Sequence, residues 1–254
     1  MKPISRFFIA GLILCLIPWA VPCYGEEGGF LAQIARANDV YQKKQYQEAA
    51  DIYESLTAQG FENGYLYYNL GNAYFRLERY GSAILNYSRA KKLVPRFENV
   101  EANLRHAILK TPDQLLETTP PFLNNVMFWL DDFNLLEYTR AVIAANFLFW
   151  LAMAAWLFFR TDSINLARNF LFALLILTAV SAGGKFYTES THKTGVVMEK
   201  RIDVKSARGS DHVTLFELHE GAVINIRDEE EEWYKIELKD GKKGWAPKKF
   251  IAQV

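Results

Sequence analysis

The chain has 254 residues, room for two small domains and membrane segments, and its 29 Lys and Arg offset 29 Asp and Glu, for a formal net charge of zero. That balance provides no electrostatic footing for a nucleic-acid partner, whose phosphates select basic surfaces. Hydrophobic residues make up 50% of the chain, with the surplus gathered in blocks beginning near residues 7, 141 and 170, so those blocks set the topology.

At the N-terminus, Lys2 and Arg6 accompany the apolar run FFIAGLILCLI, and CYG precedes Glu26. A positive start, an apolar stretch and a small-residue site together mark a secretory signal peptide, expected over residues 1–25 with cleavage after Gly25. The competing reading is an uncleaved anchor. Cys23 raises lipidation as a third, which the preceding Pro22 disfavours. Both cysteines, Cys15 and Cys23, lie in this segment, so cleavage leaves no thiol for a disulfide or a zinc site.

From residue 30 to 110 the pattern is helical and it repeats. Sliding the sequence by 34 residues lays Tyr46 on Tyr80, Ala49 on Ala83, Tyr53 on Tyr87, Ala37 on Gly71 and Asn38 on Asn72. This period is the tetratricopeptide signature, in which small residues let paired helices approach and aromatic residues fill the space between repeats. The second copy carries Tyr67, Leu70, Gly71, Tyr74, Ala83, Tyr87, Ala90 and Pro95; the first is degenerate at Leu56 and Phe61, and the third is one helix over 98–110. In such a repeat the first helix lines a concave groove, which here presents Asn38, Tyr65, Tyr68, Asn69, Asn72, Arg76 and Asn103 as the expected peptide-binding set. Asparagine amides suit a bound backbone without internal partners, and the Arg76 fork suits a carboxylate. The plainer reading assigns Asn69 and Asn72 to the repeat consensus and the tyrosines to packing.

Residues 119–138 space Phe122, Val126, Trp129, Leu130 and Phe133 at helix-like intervals, as expected for an amphipathic connector lying on a membrane or for an ordinary linker. Residues 141–159 contain no charge between Arg140 and Arg160, and at about 1.5 Å per residue they match a bilayer's hydrocarbon thickness. A second span, 168–186, needs Arg168 and Lys185 to reach opposite interfaces. The short loop 160–168 holds two arginines, so the positive-inside rule assigns it to the cytoplasm and both ends of the hairpin to the far side. A buried soluble hairpin is the alternative.

Beyond Lys185 the pattern alternates: in WYKIELKDGKKGWAP, Tyr234, Ile236 and Leu238 share one face and Lys235 and Glu237 the other, with Asp240-Gly241 expected to form the two-residue hairpin turn. Over 194–254 the chain resembles bacterial SH3-like barrels at Gly221, Trp233, Gly244, Trp245 and Pro247. Trp233 and Trp245 are expected to complete the small core, an exposed ligand platform being the alternative. The acidic run 228–232 is expected to be a solvated turn.

The expected fold class is multidomain: all-α tetratricopeptide repeats, a two-helix transmembrane hairpin and a small all-β SH3-like barrel. That order, behind a signal peptide, resembles the BatE family of bacterial aerotolerance operons over nearly the whole chain. The resemblance implies a membrane-anchored interaction protein of the inner membrane with both soluble domains periplasmic, working beside von Willebrand-type Bat proteins and a MoxR-type ATPase. It supplies no catalytic residues. His106, His192, His212 and His219 stand in unrelated contexts without metal-ligand spacing, and no phosphate-binding glycine loop or G-x-S-x-G elbow occurs. A non-enzymatic role without cofactor or metal is therefore expected. Peptidoglycan bound through the barrel is the alternative to a protein partner.

Overall fold

The computed structural model describes residues 27–114 and 126–254. The expected signal peptide and the first part of the connector fall outside them. The chain divides into two compact units, one formed by Glu26–Val126 together with Glu189–Val254, the other including Met127–Thr188.

Among the described residues of the first unit, helices run in order: α1 (Glu27–Gln42), α2 (Tyr46–Ala58), α3 (Gly64–Arg76), α4 (Tyr80–Leu93) and α5 (Glu98–Ile108). They form two helical pairs and a closing helix, the tetratricopeptide arrangement. The Asn63 side chain caps α3 by accepting the Tyr65 N–H at 2.8 Å. Small residues let the helices close: Ala37, Ala49, Ala50, Ala73 and Ala83 are fully buried. A Cβ on Gly71 would lie 2.7 Å from the Tyr87 ring, so this glycine is what lets α3 meet α4. Leu56, where the first repeat departs from the consensus small residue, is itself fully buried, so a larger side chain fills the gap there.

The same unit contains seven strands: β1 (Lys193–Val197), β2 (Arg201–Lys205), β3 (Thr214–His219), β4 (Val223–Glu230), β5 (Trp233–Glu237), β6 (Lys243–Pro247) and β7 (Ile251–Gln253). They make one antiparallel sheet in the order β3-β2-β6-β5-β4-β1-β7. Register shifts at Val204/Lys205 and Ile226/Asp228 bend β2 and β4, as bulges do. Tyr234, Ile236 and Leu238 bury themselves as their alternation predicts.

Three expectations for this domain are corrected. The β5–β6 turn runs over Leu238–Gly241, closed by Gly241 N–H donating to Leu238 O at 3.0 Å; only Gly241 has positive φ (+84°), so it is not the two-residue type. The acidic run begins as strand, because β4 continues to Glu230, with Glu229 paired to Lys193 and Lys248 and Glu230 to Arg208. Trp233 and Trp245 are half-exposed and outside the core, which is filled by residues such as Val197, Val204, Ile224 and Ile236.

Repeats and sheet share a core. Val196 and Val223 belong to the same buried cluster as Ile84, Tyr87 and Ile108. Polar contacts border it: Gly81 N–H donates to Glu220 Oε1 at 2.9 Å, and Arg89 Nη2 to Gln253 O at 3.0 Å. Asp113 receives the His219 backbone N–H at 2.7 Å and meets its Nδ1 at 2.9 Å. A side chain on Gly221 (φ +85°) would lie 2.5 Å from Thr111 and 2.9 Å from Ile84, so the glycine satisfies both a turn and a close approach.

The second unit contains a 3-10 turn (Phe128–Asp131) and helix α6 (Leu135–Phe159), and most of helix α7 (Asp162–Thr191). Both helices are long and apolar enough to cross a membrane, with mean hydropathy 2.0 and 1.7 over their most apolar windows. They outrun the expected spans. A capping box starts α6 early: Asn134 Oδ1 accepts the Glu137 N–H at 2.8 Å and Glu137 Oε2 accepts the Asn134 N–H at 3.0 Å. The described part of the connector is therefore a 3-10 turn and the start of α6, while the expected loop 160–168 shrinks to Arg160 and Thr161 because α7 begins at Asp162. Leu130 of the turn is fully buried, Trp129 Nε1 donates to Ser181 Oγ at 3.0 Å, and Tyr138 O–H donates to Trp129 O at 2.7 Å.

Candidate peptide-binding groove

The expected groove residues lie on the first helices of the repeats: Asn38 on α1, Tyr65, Tyr68, Asn69, Asn72 and Arg76 on α3, and Asn103 on α5. Five of them form a hydrogen-bonded array that obeys the repeat period. Tyr53 O–H donates to Asn38 Oδ1 at 2.6 Å, and Asn69 Nδ2 donates to the same oxygen at 3.3 Å. One repeat on, Tyr87 O–H donates to Asn72 Oδ1 at 2.8 Å and Asn103 Nδ2 to that oxygen at 2.9 Å. Asn103 Nδ2 also reaches the Tyr68 hydroxyl at 3.2 Å.

Each module thus joins three helices through one carbonyl oxygen whose two lone pairs are both filled. The tyrosine comes from the second helix of the same repeat and the second asparagine from the first helix of the next. The residues expected to line a groove therefore make the contacts of consensus packing among themselves. The modules leave over Asn38 Nδ2, Asn72 Nδ2, Asn69 Oδ1 and Asn103 Oδ1, which have no hydrogen-bond partner among the described residues. Donors and acceptors together suit an extended backbone, which carries both.

Burial sets the chemistry of the phenols. It pushes the Tyr53 hydroxyl up to about 12, helped by its neighbour Tyr41, and it raises Tyr87 as well, helped by Tyr68 and Tyr41. These hydroxyls therefore stay protonated and donating. Arg76 is exposed; a hydrogen bond to Tyr41 raises its guanidinium above the ordinary value, so the groove keeps a permanent positive charge. Tyr65 stands apart from the array, 56% exposed, with its ring 5.2 Å from Phe97, which also packs 5.0 Å from Tyr68.

Sequence reasoning missed Tyr41 and Phe97. Tyr41 stands one period before Phe75, a signal the alignment of the copies contains; Phe97 sits between helices, where no periodicity points to it. On the sheet, Lys205, Trp245 and Lys235 stand opposite one another across β2, β6 and β5, with Arg208 5.5 Å and the Lys235 ammonium 5.9 Å from the Trp245 ring. No group of three or more His, Cys, Asp and Glu among the described residues is arranged to hold a metal.

A tetratricopeptide repeat family model matches residues 64–97, and a bacterial SH3 domain family model matches residues 200–252. No curated protein matches the chain. The matched repeat covers α3, α4 and the Pro95 signal, which is the copy that keeps the consensus. Tetratricopeptide repeats point to protein–protein interaction and bacterial SH3 domains to cell-wall binding. Both are ordinarily non-catalytic binding modules.

Proposed function

We propose that the chain is a non-enzymatic, membrane-anchored interaction scaffold of the BatE type. Its repeats dock an extended partner segment in an envelope complex serving stress resistance or aerotolerance. The observation that carries this reading is the groove: amide groups of both polarities left over by the repeat modules, beside the exposed and fixed charge of Arg76. The partners implied by the resemblance are von Willebrand-type Bat proteins and a MoxR-type ATPase, and an acidic side chain or C-terminal carboxylate in the docked segment would complement Arg76.

The setting proposed is the bacterial inner membrane. The repeats and the SH3-like sheet share one core although the hairpin separates them in sequence, so a chain that crosses a membrane between them does so an even number of times. That supports a hairpin with both soluble parts on one face, and the arginines at its closed end favour the periplasm for that face. Anchoring then raises the effective concentration of the groove beside other membrane proteins, which lets so short an array suffice.

The test is affinity capture of the full chain from solubilised membranes, wild type against Arg76→Glu combined with Asn69→Ala. Loss of the same captured proteins with unchanged helical content supports the groove, and undiminished capture refutes it. The row of Lys205, Trp245 and Lys235 favours a second reading, in which the barrel grips peptidoglycan. Co-sedimentation of the full chain in detergent with purified sacculi, wild type against Trp245→Ala, separates the two.

A further inference from the structure

The closed end of the hairpin carries a concentration of positive charge. Helix α6 ends at Phe159, the following Arg160 has left-handed backbone (φ 39°), and α7 begins two residues later at Asp162. From the two sides of this turn, two guanidinium groups converge on one indole: Arg160 lies 5.5 Å and Arg168 4.8 Å from the centroid of the Trp156 ring. Arg168 also donates to Asn169 Oδ1, at 3.0 Å from Nη2. Among the described residues no carboxylate pairs with either arginine, although Asp162 lies between them in sequence.

Around these cations the surface is apolar. Phe158 is 82% exposed, Phe159 68%, Leu166 73% and Phe170 66%. Water-facing loops seldom present four such side chains together, whereas a bilayer interface accommodates them. Along α7, Arg168 is followed one and two turns further from the closed end, on the same face, by Phe172, 51% exposed, and Ile176, 49% exposed, which is the order of a phospholipid read from headgroup to acyl chains.

We propose that this end of the hairpin is a binding site for an anionic phospholipid, its phosphate held by Arg160 and Arg168 against Trp156 and its acyl chains lying on Phe172 and Ile176. Guanidinium forks match phosphate oxygens bidentately, and Trp156 gathers both forks at the level where the headgroup lies. A zwitterionic lipid offers the same phosphate but brings its own cation, which the two arginines repel. Anionic lipids are therefore selected over zwitterionic ones.

The inference rests on the membrane reading of the hairpin, so the first measurement is extraction of the full chain from membranes with alkaline carbonate. Release into the supernatant refutes the membrane reading and this site with it. If the chain stays in the membrane, native mass spectrometry of the full chain in detergent is run with phosphatidylglycerol, with phosphatidylcholine and with inorganic phosphate. The wild type should retain phosphatidylglycerol preferentially. Arg160→Gln with Arg168→Gln should reduce that retention about tenfold while leaving phosphatidylcholine unchanged. Arg140→Gln, at the other end of α6, should change neither. The proposal is overturned if the wild type retains both lipids equally, if the double variant retains phosphatidylglycerol like the wild type, or if millimolar inorganic phosphate displaces the lipid, which would identify a simple anion site.

Discussion

The two units use apolar residues in opposite ways. In the repeats and sheet, apolar side chains are drawn inward and held by specific contacts: a glycine under a tyrosine ring, paired asparagine modules, a carboxylate clasping His219. In the hairpin, only 6% of the most apolar window of each helix is buried, and large side chains such as Phe147, Leu151 and Phe172 point outward. Apolar residues are closely packed in one unit and left largely uncovered in the other. Apolar content alone therefore says little about stability; what each side chain touches does.

The sharpest way to break this contrast is at Gly71. A leucine there must occupy space already held by the Tyr87 ring, and no flexible neighbour can yield without opening the helix pair. The variant should lose the repeats altogether, at a cost above about 3 kcal/mol. Circular dichroism of the full chain would register this as lost helix, and a normal melt would mean that the repeats tolerate bulk the packing forbids.

The same chemical change in both units gives the next largest effect and tests the comparison directly. Leu56→Ala, in a fully buried position, should cost about 2 to 5 kcal/mol, whereas Leu151→Ala, 51% exposed on α6, should stay within about 0.5 kcal/mol. Denaturation midpoints of the two variants in the same detergent settle it. A large loss at Leu151 would mean that the exposed face of α6 packs against something other than lipid.

Asn72→Ala follows. It removes the oxygen that accepts both Tyr87 and Asn103, leaving a buried phenol without its acceptor, so a loss of about 1 to 3 kcal/mol is expected. Asn69→Ala removes only a 3.3 Å donation and should cost less than half as much. The same modules define a pH dependence. Because folding raises Tyr53 to about 12 and also lifts Tyr74 and Tyr87, chiefly by burial, their stabilising contribution is complete below the ordinary phenol value near 10 and is lost as pH rises toward 12. Helical melting between pH 9 and 12 should fall across that window, and a melting temperature that holds constant would contradict the buried-phenol account.

How much of this was legible beforehand varies by element. The 34-residue period located the repeats, and it also fixed the hydrogen-bond modules, since Asn38, Tyr53 and Asn69 recur as Asn72, Tyr87 and Asn103. Strand alternation around Ile236 marked the core face of β5. The docking of sheet on repeats left no such trace: Asp113 and His219 are 106 residues apart, and Gly221 reads as an ordinary turn glycine until Thr111 is seen beside it. Helix ends lie outside the apolar spans for a local reason, because hydropathy marks the apolar stretch while caps such as Asn134 and Glu137 decide where the helix begins.

A small effect is also expected at Trp245. Had the ring completed the barrel core, as its size and the small domain suggested, its removal would cost about 3 to 5 kcal/mol and unfold the domain. The ring instead stands half-exposed on the outward face of β6, beside Arg208 and Lys235, in a sheet whose core is filled by aliphatic residues. What it contributes there is a partly solvated set of cation–π contacts, worth about 1 kcal/mol in all. Trp245→Ala should therefore melt within a few degrees of the wild type. The variant's strand signal and denaturation midpoint provide the measurement. A collapse of the sheet would return the tryptophan to the core, while an intact sheet with weakened sedimentation on sacculi would make this outward face a wall-binding surface.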